Sequence, residues 1–430
     1  MRVLMFGWEF PPHISGGLGT ASFGLTKGMA TFGDLEVIFV VPKAWGDEDQ
    51  SIVRLIGANK VPVAYKKVHY QGFKKEIEKI EVESRIVPYT DPDDFWRMTR
   101  SEVSGYKLMV RTNDNGTVDF SGRYDQNLLD EINKYAIVAS VIATENDFDI
   151  IHAHDWLAYP AGIAAMEASG KPLVIHVHAT DFDRSGGNVN PDVYHIEKKG
   201  MDAASKIITV SNLTRDIVIN KYNINPDKVE TVYNAVEPVS LTGESFVLKG
   251  FDEKVVTFLG RITMQKGPEY FIESAKKVLK VMDNVRFVMA GSGDLMERMM
   301  RRAAALRITD RFHFTGFLRG RDVFTMLEMS DVYIMPSVSE PFGISPLEAM
   351  QSNVPVIISK QSGVAEILTH AVKTDFWDID AMADAIYGIL NYPDLARMII
   401  KNGKEEVIRL KWDNSARHVR DIYYRVLGNK

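Results

Sequence analysis

Ten short apolar segments of strand length recur along the chain and alternate with amphipathic helical stretches. Strands buried on both faces of a parallel sheet are nearly continuous apolar runs, and parallel pairing requires a crossover between successive strands. The alternation therefore predicts an α/β fold with doubly wound parallel sheets. The predicted strands are 2–7, 35–41, 148–153, 172–178, 206–211, 254–260, 285–291, 311–316, 331–337 and 354–359, with 268–282 as a typical intervening helix.

A stretch rich in proline, glycine and charge, 235–254, divides these strands into two series. A chain of 430 residues also exceeds what one ordinary core accommodates. We therefore predict two Rossmann-like domains that face each other across a cleft, with the polar stretch 60–128 elaborating the first. The predicted order is an N-terminal domain over 1–238, a linker over 239–253, a C-terminal domain over 254–410, and a helix within 411–430 that crosses back toward the N-terminal domain.

Composition excludes several classes of function. The net charge is −6, so the chain has no overall positive field that would hold nucleic acid. It contains no cysteine, which excludes thiol catalysis, disulfide bonds and cysteine-ligated metal. The first apolar run stops at Gly7, which is too short for a signal sequence or a membrane span. We expect a cytoplasmic protein without a membrane span and without a nucleic-acid partner.

A glycine-rich segment follows the first predicted strand. Gly16, Gly17 and Gly19 would let backbone amides approach a phosphate at the start of the next helix. The spacing also resembles the dinucleotide-binding fingerprint, but Ser22 replaces its third glycine and the segment lies well beyond the strand. A plain strand-to-helix turn is the third interpretation. All three stay open at this point.

Two histidine pairs end neighbouring strands of the first series. His152 and His154 alternate along one strand, and His176 and His178 repeat the pattern on the next, so each pair shares a face. We expect His152 and His176 to be core residues with satisfied hydrogen bonds. His154, at the end of its strand, is expected to face the cleft.

The same histidines allow a different class of enzyme. Histidine pairs ligate zinc or iron, and Asp155, Asp181 or Asp183 could complete such a site. The rival hypothesis is therefore a metal-dependent hydrolase.

The second series opens with two cations near the start of a helix. Arg261 directly follows a predicted strand, and Lys266 lies in the loop before Pro268, which suits a first helical turn. Two cations beside a helix N-terminus form a binding site for a diphosphate. A lone arginine or lysine is usually only solvated, but the order of strand, Arg, loop, Lys-Gly and helix is more specific.

Two glutamates flank a second predicted helix start in the segment SVSEPFGISPLEAM, 337–350. Ser345 fits the N-cap, Pro346 the first helical position and Glu348 the third, which together form a capping box. In that interpretation Glu348 only caps its own helix. Glu340 has no such role, since it precedes the turn.

The alternative interpretation of this segment is a ligand site. Free amides near Gly343, Ile344 and Ser345 would receive a phosphate. The two carboxylates would then accept hydrogen bonds from neutral hydroxyls on either side of that anion. This suits a nucleotide-sugar, with Glu340 toward the sugar and Glu348 toward the ribose.

The motifs resemble, in their order, those of the retaining glycosyltransferases of the GT-B fold. They are GGLG (16–19), HAHDW (152–156), GRITMQKG (260–267) and EPFGISPLE (340–348), the last having the E-x7-E form of that family. HAHDW followed by HATDFDRSGG (178–187) is most similar to the glycogen and starch synthase branch of family four. The resemblance implies transfer of glucose from ADP- or UDP-glucose to an α-1,4-glucan, without a metal or another cofactor.

The resemblance also implies roles for the predicted phosphate-binding residues. The N-terminal domain would bind the acceptor and the C-terminal domain the nucleotide-sugar. Gly16 and Gly17 would contact the diphosphate through their amides, and Arg261 and Lys266 would neutralise its charge as it leaves.

Further implied roles concern the sugar, the ribose and the base. His154 would hydrogen-bond the donor glucose near its 6-hydroxyl, and Glu340 would hold other sugar hydroxyls and stabilise positive charge at the anomeric carbon. Glu348 would bind the ribose. The backbone around Phe317 and Leu318 would frame the base.

The sequence differs from bacterial glycogen synthases at two places. Ile14 stands where those enzymes typically carry lysine, and EPFGISPLE replaces their usual EPCGLTQ-like motif. The donor nucleotide therefore stays open, as does the acceptor, which could be a glucan or a small or lipid-linked molecule. A carbohydrate-binding protein without turnover is the non-enzymatic alternative.

Overall fold

The computed structural model describes residues 1–14, 16–63, 112–113, 115–122, 128–238 and 249–428. Most of the predicted elaboration at 60–128 and most of the predicted linker at 239–253 lie outside the described residues. The described strands are β1 Arg2–Phe6, β2 Glu36–Val41, β3 Arg54–Gly57, β4 Ile150–His154, β5 Leu173–Val177, β6 Lys206–Thr209, β7 Val229–Thr231, β8 Lys254–Leu259, β9 Val285–Ala290, β10 Phe312–Gly316, β11 Val332–Met335, β12 Val356–Ser359 and β13 Val372–Thr374.

The described helices lie between these strands and at the C-terminal end of the chain. They are α1 Gly17–Ala30, α2 Leu128–Glu145, α3 Asp155–Ser169, α4 Asp181–Ser185, α5 Pro191–Ala203, α6 Asn212–Tyr222, α7 Pro268–Val278, α8 Met296–Ala305, α9 Arg321–Glu328, α10 Ser345–Gln351, α11 Ile379–Asn391, α12 Pro393–Val407 and α13 Trp412–Val426. Among the described helices, none is long and apolar enough to span a membrane.

The strands form two parallel sheets. The first has the order β3-β2-β1-β4-β5-β6-β7 and the second the order β10-β9-β8-β11-β12-β13. All their strand pairings are parallel. In both sheets the order reverses beside the first strand, as in doubly wound folds. The predicted α/β fold with two Rossmann-like domains is confirmed.

All ten predicted strands are present, and three further strands were not predicted. The unpredicted strands are β3, β7 and β13, and each lies at an edge of its sheet. They are three or four residues long and only partly buried. These three strands are short and partly exposed, so their sequences lack the apolar run of strand length that identified the others, including the edge strand β10.

The C-terminal helix α13 packs against α1 of the first domain. A Cβ atom at Gly24 would lie 2.2 Å from the Trp412 ring, so helix α1 needs glycine at that position. Trp412 and Tyr423 of α13 are buried in the same apolar cluster as Val3 and Met5 of β1. The last helix therefore contributes to the core beneath the first sheet.

The carboxyl edges of the two sheets face each other. The Oγ of Ser339, after β11, donates to Asp183 Oδ1, after β5, at 2.6 Å. The backbone amides of Asn212 and Leu213, after β6, donate to the carboxylate of Glu366, after β12, at 2.9 and 2.7 Å. Ligands of open α/β sheets bind outside the carboxyl ends of the strands. The predicted cleft therefore lies where a ligand would bind to both domains.

Candidate active site

A glycine allows the loop after β8 to approach the loop after β11. Gly267 adopts a left-handed conformation with φ +65°, and a Cβ atom there would lie 2.1 Å from the carbonyl oxygen of Pro336. The backbone N–H of Val338 donates to the carbonyl of Gln265 at 2.8 Å. These contacts bring the segment that carries Lys266 against the segment that carries Glu340.

Lys266 and Glu340 form an ion pair. The Lys266 Nζ contacts Glu340 Oε2, which also accepts a hydrogen bond from Ser337 Oγ at 3.2 Å. Glu340 is 7% exposed, and its own amide donates to the carbonyl of Gln361 at 2.9 Å. A buried carboxylate needs such partners, because an unpaired buried charge is strongly destabilising. The two predicted site residues therefore form one unit.

Arg261 is the second predicted phosphate-binding cation. It lies two residues beyond the end of β8 and is exposed. Within the described part of the chain it takes part in no ion pair or side-chain hydrogen bond. Its guanidinium is therefore available to an anion at the carboxyl edge of the second sheet, since five N–H donors suit a phosphate.

The predicted capping box on α10 is wrong. Ile344, not Ser345, occupies the N-cap, and no side chain caps the helix. The Ser345 Oγ instead hydrogen-bonds the Tyr333 hydroxyl of β11 at 2.8 Å. The tertiary partner competes for the serine hydroxyl, which sequence spacing does not reveal. Pro346 is the second residue of the helix, not the first as predicted, because the helix begins one residue earlier, at Ser345.

Glu348 therefore lacks the structural role that the sequence offered. It is partly buried, and burial raises the pKa of its carboxyl group to about 7. Across the described chain, the amides of Gly343 and Ile344 donate no hydrogen bond to another residue. A partly buried carboxylate beside free amides is an arrangement that a polar ligand would complete.

The glycine segment of the first domain is open. Gly16 and Gly17 are exposed at the start of α1, and a Cβ atom on either would meet nothing within 4 Å. Ser22, at the third position of the dinucleotide fingerprint, is buried and its Oγ donates to the Leu18 carbonyl at 3.0 Å. Across the described residues, no hydrogen bond or ion pair joins Gly16 or Gly17 to the Lys266–Glu340 pair.

Phe317 and Leu318 lie in different environments although they are neighbours. Phe317 is 50% exposed, with the Arg319 guanidinium 5.3 Å from its ring centroid. Leu318 lines an apolar cavity of about 460 Å³ together with Val255 and Met326. The exposed Phe317 ring is therefore open to solvent, whereas Leu318 lines the cavity.

The four histidines form a buried stack. His152, His154, His176 and His178 are 0%, 0%, 2% and 9% exposed, and neighbouring ring centroids lie between 4.3 and 5.4 Å apart. Burial lowers the pKa of all four, to about 3 for His152 and His178. The stack is therefore neutral at pH 7.

Two expectations about individual histidines are corrected. His154 does not face the cleft as an exposed side chain; it is fully buried, and its Nδ1 lies 2.9 Å from His178 Nε2. His176 is in the core but is not satisfied, since neither ring nitrogen has a partner in the described structure. His152 has one partner, the Tyr423 hydroxyl of α13. The sequence could not show that Tyr423 of a distant helix contacts His152.

The carboxylates required by the metal-hydrolase hypothesis are used elsewhere. Asp155 accepts from the backbone N–H of His178 at 2.7 Å, and its carboxyl pKa is raised to about 6 by burial. Asp181 accepts from the amide of Asn190 at 2.6 Å. Asp183 accepts hydrogen bonds from the Ser339 hydroxyl and from the backbone N–H of Thr180, the N-cap residue of helix α4. Three histidine nitrogens lie within 4.8 Å of one another, but nearly parallel stacked rings do not direct their lone pairs to one point.

Sequence reasoning missed three residues that shape the site. Ser337 and Ser339 were not singled out, and Asp183 was considered only as a metal ligand. The available signal was their position in the sequence. Ser337 and Ser339 lie three residues and one residue before Glu340, and Asp183 lies in the segment HATDFDRSGG, 178–187. What they contact depends on how the two domains meet.

Two facing Rossmann-like domains with doubly wound parallel sheets are the architecture of the GT-B glycosyltransferases. Two family models match the chain: Glycosyltransferase Family 4 over residues 124–239 and Glycosyl transferases group 1 over residues 245–406. The chain belongs to the family-four glycosyltransferases of the GT-B fold.

Relatives and solved structures agree with this membership. An uncharacterized glycosyltransferase of Methanocaldococcus jannaschii is 28% identical over 98% of both chains. A glycogen synthase of Mycobacterium tuberculosis is 21% identical over 98% of this chain and 94% of its own. The structure of sucrose-phosphate synthase from Thermosynechococcus elongatus matches with a TM-score of 0.71 at 16% identity, over 100% of both chains.

Proposed function

We propose that this glycosyltransferase is a retaining, metal-independent hexosyltransferase that moves glucose from ADP- or UDP-glucose to an α-1,4-glucan or a related acceptor. The observation that carries the proposal is the Lys266–Glu340 pair, with Arg261 nearby in sequence and without a partner in the described chain. One carboxylate and two cations at the carboxyl edge of the second sheet match a donor in which a neutral sugar is joined to a diphosphate.

The charges suit the leaving group. As the bond between C1 of the sugar and the diphosphate oxygen breaks, negative charge develops on the phosphate, and Arg261 and Lys266 stabilise it. Preorganised donors at a developing charge are usually the largest single contribution to lowering a barrier. The free amides of Gly343 and Ile344, and of Gly16 and Gly17 in the first domain, would hydrogen-bond the same diphosphate.

The carboxylates suit the hydroxyl groups of the donor. Glu340 would accept hydrogen bonds from the sugar and stabilise positive charge at C1. Glu348 would accept from the ribose hydroxyls, and the exposed Phe317 would border the base. His154, being buried and neutral, would reach the sugar only if substrate binding uncovers its ring.

The proposed reaction keeps the anomeric configuration. The acceptor hydroxyl attacks C1 from the face that the diphosphate leaves, so one C1–O bond breaks and another forms. The acceptor proton passes to the departing phosphate oxygen, and no separate base is required. Similarity to a glycogen synthase over nearly its full length supports a glucan acceptor.

The test measures nucleoside diphosphate release from ADP-glucose and from UDP-glucose, each with and without glycogen, in EDTA. Glycogen-dependent release from either donor would support the proposal and identify the donor. Loss of release in EDTA, restored by a divalent cation, would contradict metal independence. Glucan binding without any release would favour a binding protein.

A second candidate is transfer to a small acceptor. The observation that favours it is the fold match over the full chain to a sucrose-phosphate synthase, together with the departure from bacterial glycogen synthases at Ile14. If sugar phosphates stimulate nucleoside diphosphate release and glycogen does not, the result would support this candidate over the first.

A further inference from the structure

Asp183 connects the first domain to the loop that carries Glu340. It is 1% exposed, and its Oδ2 accepts from the backbone N–H and the hydroxyl of Thr180, each at 2.8 Å. Its Oδ1 accepts from the Ser339 hydroxyl of the second domain at 2.6 Å. One carboxylate oxygen is thus fixed within the first domain, and the other holds the second.

Helix α4, which contains Asp183, also contacts the segment that carries Lys266. Gly186, which ends this helix with φ +61°, faces Met264: a Cβ atom there would lie 2.6 Å from the methionine methyl group. Met264 begins the single 3₁₀ turn that ends at Lys266. A single helix of the first domain therefore touches the segments that carry both members of the ion pair.

The hydrogen bond from Ser339 to Asp183 is a contact on segment 337–340 that depends on the domains being together. Within the second domain, the loop is held by the Val338 amide and by Ser337. The Ser339 hydroxyl finds its acceptor in the first domain. When the domains separate, Asp183 keeps only Thr180, so the hydrogen bond to Ser339 favours the closed arrangement by its own free energy.

We propose that Asp183 is a positioning residue, which acts through Ser339 to hold segment 337–340 so that Glu340 pairs with Lys266 when the domains meet. The inference deepens the proposed function and rests on the roles proposed above for Lys266 and Glu340. Asp183 itself touches no reacting atom. Its effect is to couple the approach of the first domain to the assembly of the charges in the second.

The first test is kinetic. Ser339→Ala removes the bridging hydroxyl and leaves Asp183 and its Thr180 contacts intact. We expect kcat to fall by about tenfold, as for one hydrogen bond to a charged acceptor, with donor KM changed less than about twofold. Ser339→Thr, which restores a hydroxyl, should recover most of the activity. Adding Asp183→Asn to Ser339→Ala should lower kcat little further, since both changes affect the same hydrogen bond.

A matched control lies on the same helix. The Ser185 hydroxyl donates to the Asp181 carbonyl at 2.7 Å and makes no hydrogen bond to the second domain in the described structure. Ser185→Ala should therefore keep the wild-type kcat. A full additive loss in the double variant, or wild-type kcat in Ser339→Ala, would overturn the proposal.

The second test needs no substrate. The chain has no cysteine, so Ala30→Cys and Ala305→Cys, both exposed and one in each domain, accept spin labels without side reactions. Pulsed electron resonance should show a broader label-to-label distance distribution in Ser339→Ala than in its parent. An unchanged distribution would overturn the proposal. If the wild type turns over no tested donor, the proposed function fails, while this measurement still decides whether Asp183 holds the domains.

Discussion

The Lys266 ammonium and the Glu340 carboxylate are in contact although 74 residues separate them in the chain. The sequence motifs assign them to different parts of a donor, one to the diphosphate and the other to the sugar. In the structure each side chain compensates the charge of the other, and Glu340 is buried. Their functional effects should therefore be coupled.

Lys266→Ala should lower kcat by 10²- to 10³-fold, or about 3–4 kcal/mol, because a donor to the developing phosphate charge is lost. Combined with Glu340→Gln, the loss should be clearly smaller than the product of the two single losses. Lys280→Ala, on an exposed lysine just past the C-terminal end of α7, the end opposite Lys266, is the matched control. Multiplicative losses would contradict a single functional unit.

Arg261→Ala should separate activity from stability. The side chain is exposed and has no ion-pair partner in the described structure, so the thermal midpoint should stay within about 2 °C of the wild type. Turnover should fall as far as in Lys266→Ala. Near-normal turnover in purified Arg261→Ala would disprove its role at the diphosphate.

Glu348→Gln should affect donor binding and the pH dependence of stability. Donor KM should rise by about tenfold, as for one lost hydrogen bond to a charged group. The raised pKa means that the folded chain binds the proton more tightly than the unfolded chain, so wild-type stability falls as pH rises from 4.5 to about 7.

The glutamine variant should lack that decline. Urea unfolding at pH 5 and pH 8 would measure this difference. Relative to the wild type, the free energy of unfolding of the variant should be higher at pH 8 than at pH 5. A variant that keeps the wild-type donor KM but unfolds readily would instead indicate a structural role for Glu348.

Tyr423→Phe should destabilise the chain by about 1–2 kcal/mol, because it leaves both ring nitrogens of buried His152 without a partner. Tyr424→Phe is the matched control. Its hydroxyl donates to exposed Asp34 at 2.8 Å, so its loss should cost clearly less than the loss of the Tyr423 hydroxyl. Equal losses in the two variants would show that the histidine contact contributes nothing.

His176→Leu should stabilise the chain increasingly as pH falls. Burial among the other three histidines holds the His176 pKa well below its usual range, so the unfolded chain binds the extra proton and wild-type stability is lost below about pH 6.5. The variant should gain up to about 2 kcal/mol over the wild type between pH 7.5 and pH 5. A difference in unfolding free energy that does not change with pH would contradict a neutral, buried His176.

The central strands could be predicted from sequence because burial on both faces leaves a direct trace, a continuous apolar run. The strands β3, β7 and β13 could not, because they are short and their partial exposure permits polar residues. The capping box failed for a related reason. Its residues have the right local spacing, but the Tyr333 hydroxyl competes for Ser345 from another strand.

The sequence by itself determined the two doubly wound sheets and the motifs at their carboxyl edges, because strand periodicity and glycine, lysine and glutamate positions are local properties. Only the tertiary structure decided which of those residues meet. It paired Lys266 with Glu340, joined Asp183 to Ser339, buried His154 and His176 in the histidine stack, and placed Tyr423 of α13 against His152. Such contacts depend on how two sheets and a returning helix pack together, and no short stretch of sequence contains that information.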